Sequence, residues 1–145
     1  MRHITGSLEE QGALIDVTVG VSKAFREAMK KVDLDVQPSR ATKALIDGGA
    51  SHTLVDVRIL AALGLSPLNG FAVQTPTTGP TFREMKKYAV TLGLVHSDSP
   101  VRFPALEVGE ADFSGRPYQV IIGRDVLSKC VYLHHGPAGF FSLSF

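Results

Sequence analysis

The chain has 145 residues, 44% apolar, 20% charged and 8% aromatic, the size expected of one domain with a substantial core. Its 15 basic and 14 acidic side chains leave a formal charge of +1, which excludes the strong global field that draws proteins onto phosphate backbones, so nucleic acid is not an expected partner. No apolar run reaches the roughly 20 residues of a membrane helix, no signal-peptide stretch follows Met1, and the single Cys130 lacks a disulfide partner or zinc-site neighbours. The expectation is a cytoplasmic protein with no membrane segment, metal or cofactor.

Residues 1–11 read as a flexible N-terminal segment preceding a single domain. The run Gly12 to Val21 alternates at Ile15, Val17, Val19 and Val21, the period of a strand with one face buried. From Ser22 the period changes. Phe25, Ala28, Met29 and Val32 fall on one helical stripe, with Ser22 as N-cap. Lys43 to Asp47 is a buried strand closed by a carboxylate, Thr53–Asp56 a short strand, and Val57 to Leu65 a helix ending at Gly64. Phe71 to Thr75 and the alternating Tyr88 to Leu94 predict a long hairpin with a small polar tip. Val101–Val108 and Tyr118–Ile122 are further strands, Arg124–Lys129 is at most two helical turns, and Phe141, Leu143 and Phe145 form a closing strand. With 14 Gly and 8 Pro punctuating short apolar runs, the fold class is all-β with two or three short helices.

Chemistry concentrates in Ala44-Leu45-Ile46-Asp47-Gly48-Gly49-Ala50-Ser51. An ionisable group ends a buried strand there and is followed by residues that admit other backbone closely. That arrangement suits a catalytic carboxylate; Asp-Gly is equally a common turn dipeptide, and these residues alone leave both readings open. Ser51-His52 is not expected to form a nucleophilic pair, because neighbours in a strand point to opposite faces. His134-His135 reads as a loop pair and Cys130 as a small core residue.

Taken with Val120-Ile121-Ile122-Gly123-Arg124-Asp125 and the closing Phe140 to Phe145, the Asp47 segment resembles the retropepsin-type (retroviral-like) aspartic proteases, including their bacterial relatives. The resemblance spans roughly Leu14 to Phe145. It implies a closed antiparallel β domain, single-lobed, acting as a homodimer on an extended peptide without cofactor. It also implies that Asp47 is catalytic, that Gly49, Ala50 and Ser51 border the substrate, and that Thr77, Thr78 and Gly79 form the tip of a flap. Arg124 would pair structurally near the active-site loop, and the last strand would interleave with a partner's. The chemistry asks for a dimer independently: two carboxylates must share one proton around a water, and this chain has one such motif.

One position departs from the pattern. The family carries Thr or Ser after the catalytic Asp, its hydroxyl reaching a backbone amide of the partner, and here that residue is Gly48. Two lost bonds at about 0.5–1.5 kcal/mol each, with up to about 1 kcal/mol per copy for glycine's freedom, weaken the expected dimer by roughly 10- to 1000-fold. A non-catalytic dimeric peptide-binding module is therefore the alternative function.

Overall fold

A computed structural model describes residues 1–68, 71–73 and 83–145. In chain order the elements are β1 (His3–Ser7), β2 (Leu14–Val21), α1 (Lys23–Lys31), β3 (Arg40–Ile46), β4 (Leu54–Asp56), α2 (Val57–Ala62), β5 (Phe71–Val73), β6 (Arg83–Met85), β7 (Lys87–Leu94), β8 (Val101–Ala111), β9 (Val120–Ile122), α3 (Arg124–Leu127), β10 (Val131–His135) and β11 (Phe140–Ser144). Six strands close into a barrel in the order β2-β3-β9-β4-β8-β7, and β1-β11-β10 form a second sheet. The all-β class with short helices is what the strand periodicities predicted. Among the described residues no helix is long and apolar enough to cross a membrane.

The barrel interior is filled by the alternating faces. Val17, Val19 and Val21 of β2, Ala44 of β3, Val90, Leu92 and Leu94 of β7, and Val120 and Ile122 of β9 are buried. Each fully buried Val, Leu or Ile contributes about 1.5–3 kcal/mol. Phe141 and Leu143 extend this core into the second sheet. The interior is therefore continuous from β2 to the last strand.

Four expectations change. The N-terminal segment is not free: His3–Ser7 is strand β1, paired antiparallel with β11 from His3 opposite Ser144 to Ser7 opposite Phe140. The paired residues lie 133 to 141 apart in sequence, and β1 is too polar to announce itself by pattern. The hairpin returns earlier than expected, since Phe71–Val73 pairs with Arg83–Met85, while Lys87–Leu94 belongs to the barrel. His134 and His135 lie in β10, opposite Phe141 and Phe140, rather than in a loop. Finally, helix α1 starts as predicted, with Ser22 Oγ accepting from the Phe25 amide at 3.2 Å, but its apolar stripe does not join the core. No α1 residue is buried; Phe25 is 36% and Val32 is 60% exposed. It is the basic residues Lys23 and Arg26 that line a cavity against the barrel wall.

Candidate active site

Strand β9 is the element that assembles the site. It runs parallel to β3, Ile46 opposite Ile122, and antiparallel to β4, Leu54 opposite Ile121. Wedged between these two strands, it brings the loop that joins them, residues 47–53, against Gly123 and Arg124. The Asp47 amide donates to the Ile122 carbonyl at 3.0 Å, the Asp47 carbonyl accepts from the Ala50 amide at 3.2 Å, and the Arg124 amide donates to Ala50 at 2.8 Å. The approach leaves no room for a side chain at 123: a Cβ there would stand 2.6 Å from the His52 carbonyl carbon and 2.9 Å from the Ala50 oxygen. Only glycine satisfies that spacing.

Asp47 is half-buried at the end of β3. Its Oδ1 accepts from the Gly49 amide at 2.8 Å. Among the described residues Oδ2 has no donor. One oxygen is thus oriented by the loop and the other is left for a water or substrate atom. Arg124 holds the rest of the loop from below, its Nη1 donating to the carbonyls of Gly48 at 3.0 Å and Gly49 at 3.1 Å. This guanidinium therefore fixes the carbonyls of the successive 48–49 and 49–50 peptides and leaves the carboxylate to the Gly49 amide.

A second, deeper clamp went unassigned from sequence. Thr53 is fully buried; its amide and hydroxyl donate to the two oxygens of Asp125 at 2.9 and 2.7 Å. The same hydroxyl accepts from the Gly123 amide at 3.2 Å, and Asp125 Oδ1 also accepts from Val126 at 2.9 Å. Charge-assisted bonds of this kind are the stronger ones. The available signal was an acidic residue in the first turn of α3, directly after Gly123-Arg124, facing a buried hydroxyl residue.

Of the other predicted positions, Gly49, Ala50 and Ser51 share the Asp47 loop, with Gly49 and Ser51 exposed. Thr77, Thr78 and Gly79 lie outside the described residues. Ser51 and His52 correct an expectation. They sit in a bend, not a strand, and Ser51 Oγ is 2.9 Å from His52 Nδ1; the opposite-face rule fails because the chain is not extended there. Asp56, by contrast, is a structural carboxylate. It is fully buried and bonded to the guanidinium of Arg58 through Nε at 2.8 Å and Nη2 at 2.5 Å, and to the Phe113 amide at 2.8 Å. The Arg58 bond above all holds its pKa down at about 2, against the cost of burial. Cys130 is half-buried against the core, where burial raises its thiol pKa.

The cavities of about 340 to 460 Å³ found among the described residues lie elsewhere, and Asp47 lines none of them. No group of three or more potential metal ligands occurs among the described residues. The oriented carboxylate sits on an open loop.

The architecture is that of the retropepsin-like aspartic proteases. A solved structure of a retropepsin-like aspartic protease from Rickettsia conorii is similar with a TM-score of 0.58 and 11% identity, over 99% of this chain and 90% of that one. At that identity the likeness establishes the fold. No protein-family model matches the sequence, and no curated protein matches it.

Proposed function

We propose that this protein is an aspartic endopeptidase that works as a homodimer, each subunit contributing Asp47. The observation that carries the reading is the Asp47 carboxylate, presented at the end of β3 on a loop clamped by Arg124, with Oδ1 held by Gly49 and Oδ2 open. Two such carboxylates facing one another across a two-fold axis cannot both ionise, so the pair holds one proton. The ionised member takes a proton from the bound water, whose oxygen attacks the scissile carbonyl. The protonated member donates to the carbonyl oxygen as it becomes a hydroxyl. Collapse of the tetrahedral intermediate breaks the C–N bond: one hydroxyl returns its proton to the ionised carboxylate as the carbonyl re-forms, and the leaving amine takes the proton held by the other carboxyl, so the dyad again holds one proton. An extended peptide is held mainly through main-chain bonds, a role for the exposed Gly49 and Ser51 and, as the resemblance implies, for Thr77, Thr78 and Gly79 in the chain between β5 and β6.

The alternative, a dimeric module that binds peptides without cutting them, rests on Gly48 standing where the family has a hydroxyl. Cleavage of a diverse peptide library at high protein concentration, from mildly acidic to neutral pH, separates the two. Turnover abolished by Asp47→Asn and by a statine-type transition-state mimic is the expected result, with a bell-shaped pH profile reporting the two macroscopic pKa values of the dyad. Peptide binding without turnover in the wild type would overturn the protease reading and establish the binding module.

A further inference from the structure

Away from Asp47, the outer wall of the barrel carries a cavity of about 460 Å³ roofed by helix α1, with Thr18, Lys23, Arg26, Ser39, Thr91 and Arg102 among its lining residues. Its position is set by register. Thr18 of β2 stands opposite Gly93 of β7, Gly93 opposite Arg102 of β8, and Gly20 of β2 opposite Thr91 of β7. Two glycines therefore leave the wall bare, and side chains lie over them. A Cβ at Gly93 would stand 2.5 Å from Thr18 Oγ1, and one at Gly20 would run into the Ser39 hydroxyl and stand 3.7 Å from Arg26 Nη2. The floor is polar and the guanidinium of Arg26 reaches down to it.

The charge on this cavity has one sign. Lys23 and Arg26 come from the roof, Arg102 from the wall, and among the described residues no carboxylate lines the space. Lys23 meets only Glu27, its neighbour one turn on, at 4.0 Å on the exposed side of the helix. Among the described residues Arg26 and Arg102 have no acidic partner within 4.0 Å. Arg26 also borders a groove with Asp33 and Asp35, and Arg102 one with Arg2, but neither arginine pairs there. The first turn of α1 contains no acidic residue, so Lys23 and Arg26 stand at the positive end of the helix dipole, where cations are disfavoured. Three cations around one concave space repel one another, and a sequence with net charge +1 has no general surplus that would force them together. A bound anion removes that conflict.

We propose that this cavity is a binding site for a small phosphorylated molecule. Two planar guanidinium forks match phosphate oxygens in pairs, a lysine adds a point charge, and the Thr18 and Ser39 hydroxyls donate from the floor. The volume falls in the range of small-molecule sites and exceeds what a lone phosphate needs. The site lies at the far end of β3 from Asp47: Ser39 precedes the seven-residue strand and Asp47 follows it, a separation of about 26 Å at the usual rise. The proposal therefore stands whether or not Asp47 catalyses anything.

Inorganic pyrophosphate is the probe, titrated calorimetrically into the full chain at low ionic strength. Saturable one-to-one binding is expected, weakened about tenfold or more in Arg26→Gln and in Arg102→Gln, which corresponds to one charge-assisted bond or more. Arg26→Lys should retain part of the affinity, and Asp47→Asn all of it. Circular dichroism of each variant confirms that α1 and the barrel are intact; both arginines are exposed, so the fold does not depend on them. Silence up to millimolar pyrophosphate, affinity unchanged in both glutamine variants, or binding of an oligoglutamate peptide in place of pyrophosphate would each overturn the proposal.

Discussion

Replacing Gly48 by threonine tests the dimeric reading at the position where this chain departs most from its resemblance. Among the described residues a Cβ at 48 would have no atom within 4 Å, and the backbone there is not in the left-handed region, so a side chain enters without strain. The substitution acts on two separate equilibria. Each folded subunit gains about 0.4–1 kcal/mol, because threonine restricts the unfolded chain more than glycine. That gain belongs to folding, since Arg124 already orders the loop within one subunit. Association gains only the two symmetric hydroxyl bonds, about 1–3 kcal/mol in total, or roughly 5- to 150-fold in the dimer Kd. The structure thus lowers the 10- to 1000-fold expected from sequence, which counted glycine's freedom as a cost of association. Sedimentation velocity over a dilution series should show the tightening in Gly48→Thr and not in Gly48→Ala, while urea denaturation should show both variants stabilised. A dimer Kd that is unchanged by threonine, or tightened equally by alanine, would refute the reasoning.

Two further outcomes follow from the clamps. Gly123→Ala drives a methyl into the carbonyls of Ala50 and His52, so the loop must shift at a cost of about 1–3 kcal/mol; a midpoint unchanged in urea denaturation would contradict the close approach. Asp56 has a folded pKa of about 2 against an ordinary 3.8, chiefly through its bond to Arg58. A lowered folded value stabilises the fold above the unfolded pKa, by about 2 kcal/mol, and the contribution is lost as pH falls from about 4 through about 2. Asp56→Asn should therefore be less stable at neutral pH and show a flatter acid limb; an acid limb identical to the wild type would count against that assignment.

The strands of the barrel were legible because each has one wet and one dry face, so Ile15, Val17, Val19 and Val21 announce both the strand and its orientation. Asp47 was legible for the opposite reason, a carboxylate where the apolar run should have continued. The periodicity of α1 was equally clear, yet it told only that the helix has two faces. Which one meets the barrel is decided by tertiary packing, and the wall beneath α1 offers Thr18, Thr91 and bare glycines rather than apolar residues. Strand β1 was hidden because its stability comes from a ladder with β11 at the other end of the chain. Ser51 and His52 were not legible as a contact because alternation holds only for extended backbone, and the chain bends there.

Strand β11 is central in its sheet, with β1 bonded along one edge and β10 along the other. Interleaving of last strands between two subunits, as the resemblance implies, would require these ladders to be broken first, because no backbone edge of β11 is open. An association that leaves these ladders intact would join folded subunits along surfaces other than the edges of β11. Folding is then first order in protein while assembly is second order, and since only the folded chain associates, the melting temperature should rise with concentration over the range in which dimer forms and level off below it. On the proposed dimeric reading, dilute chains would be intact but unpaired half-sites, competent only where concentration favours the dimer.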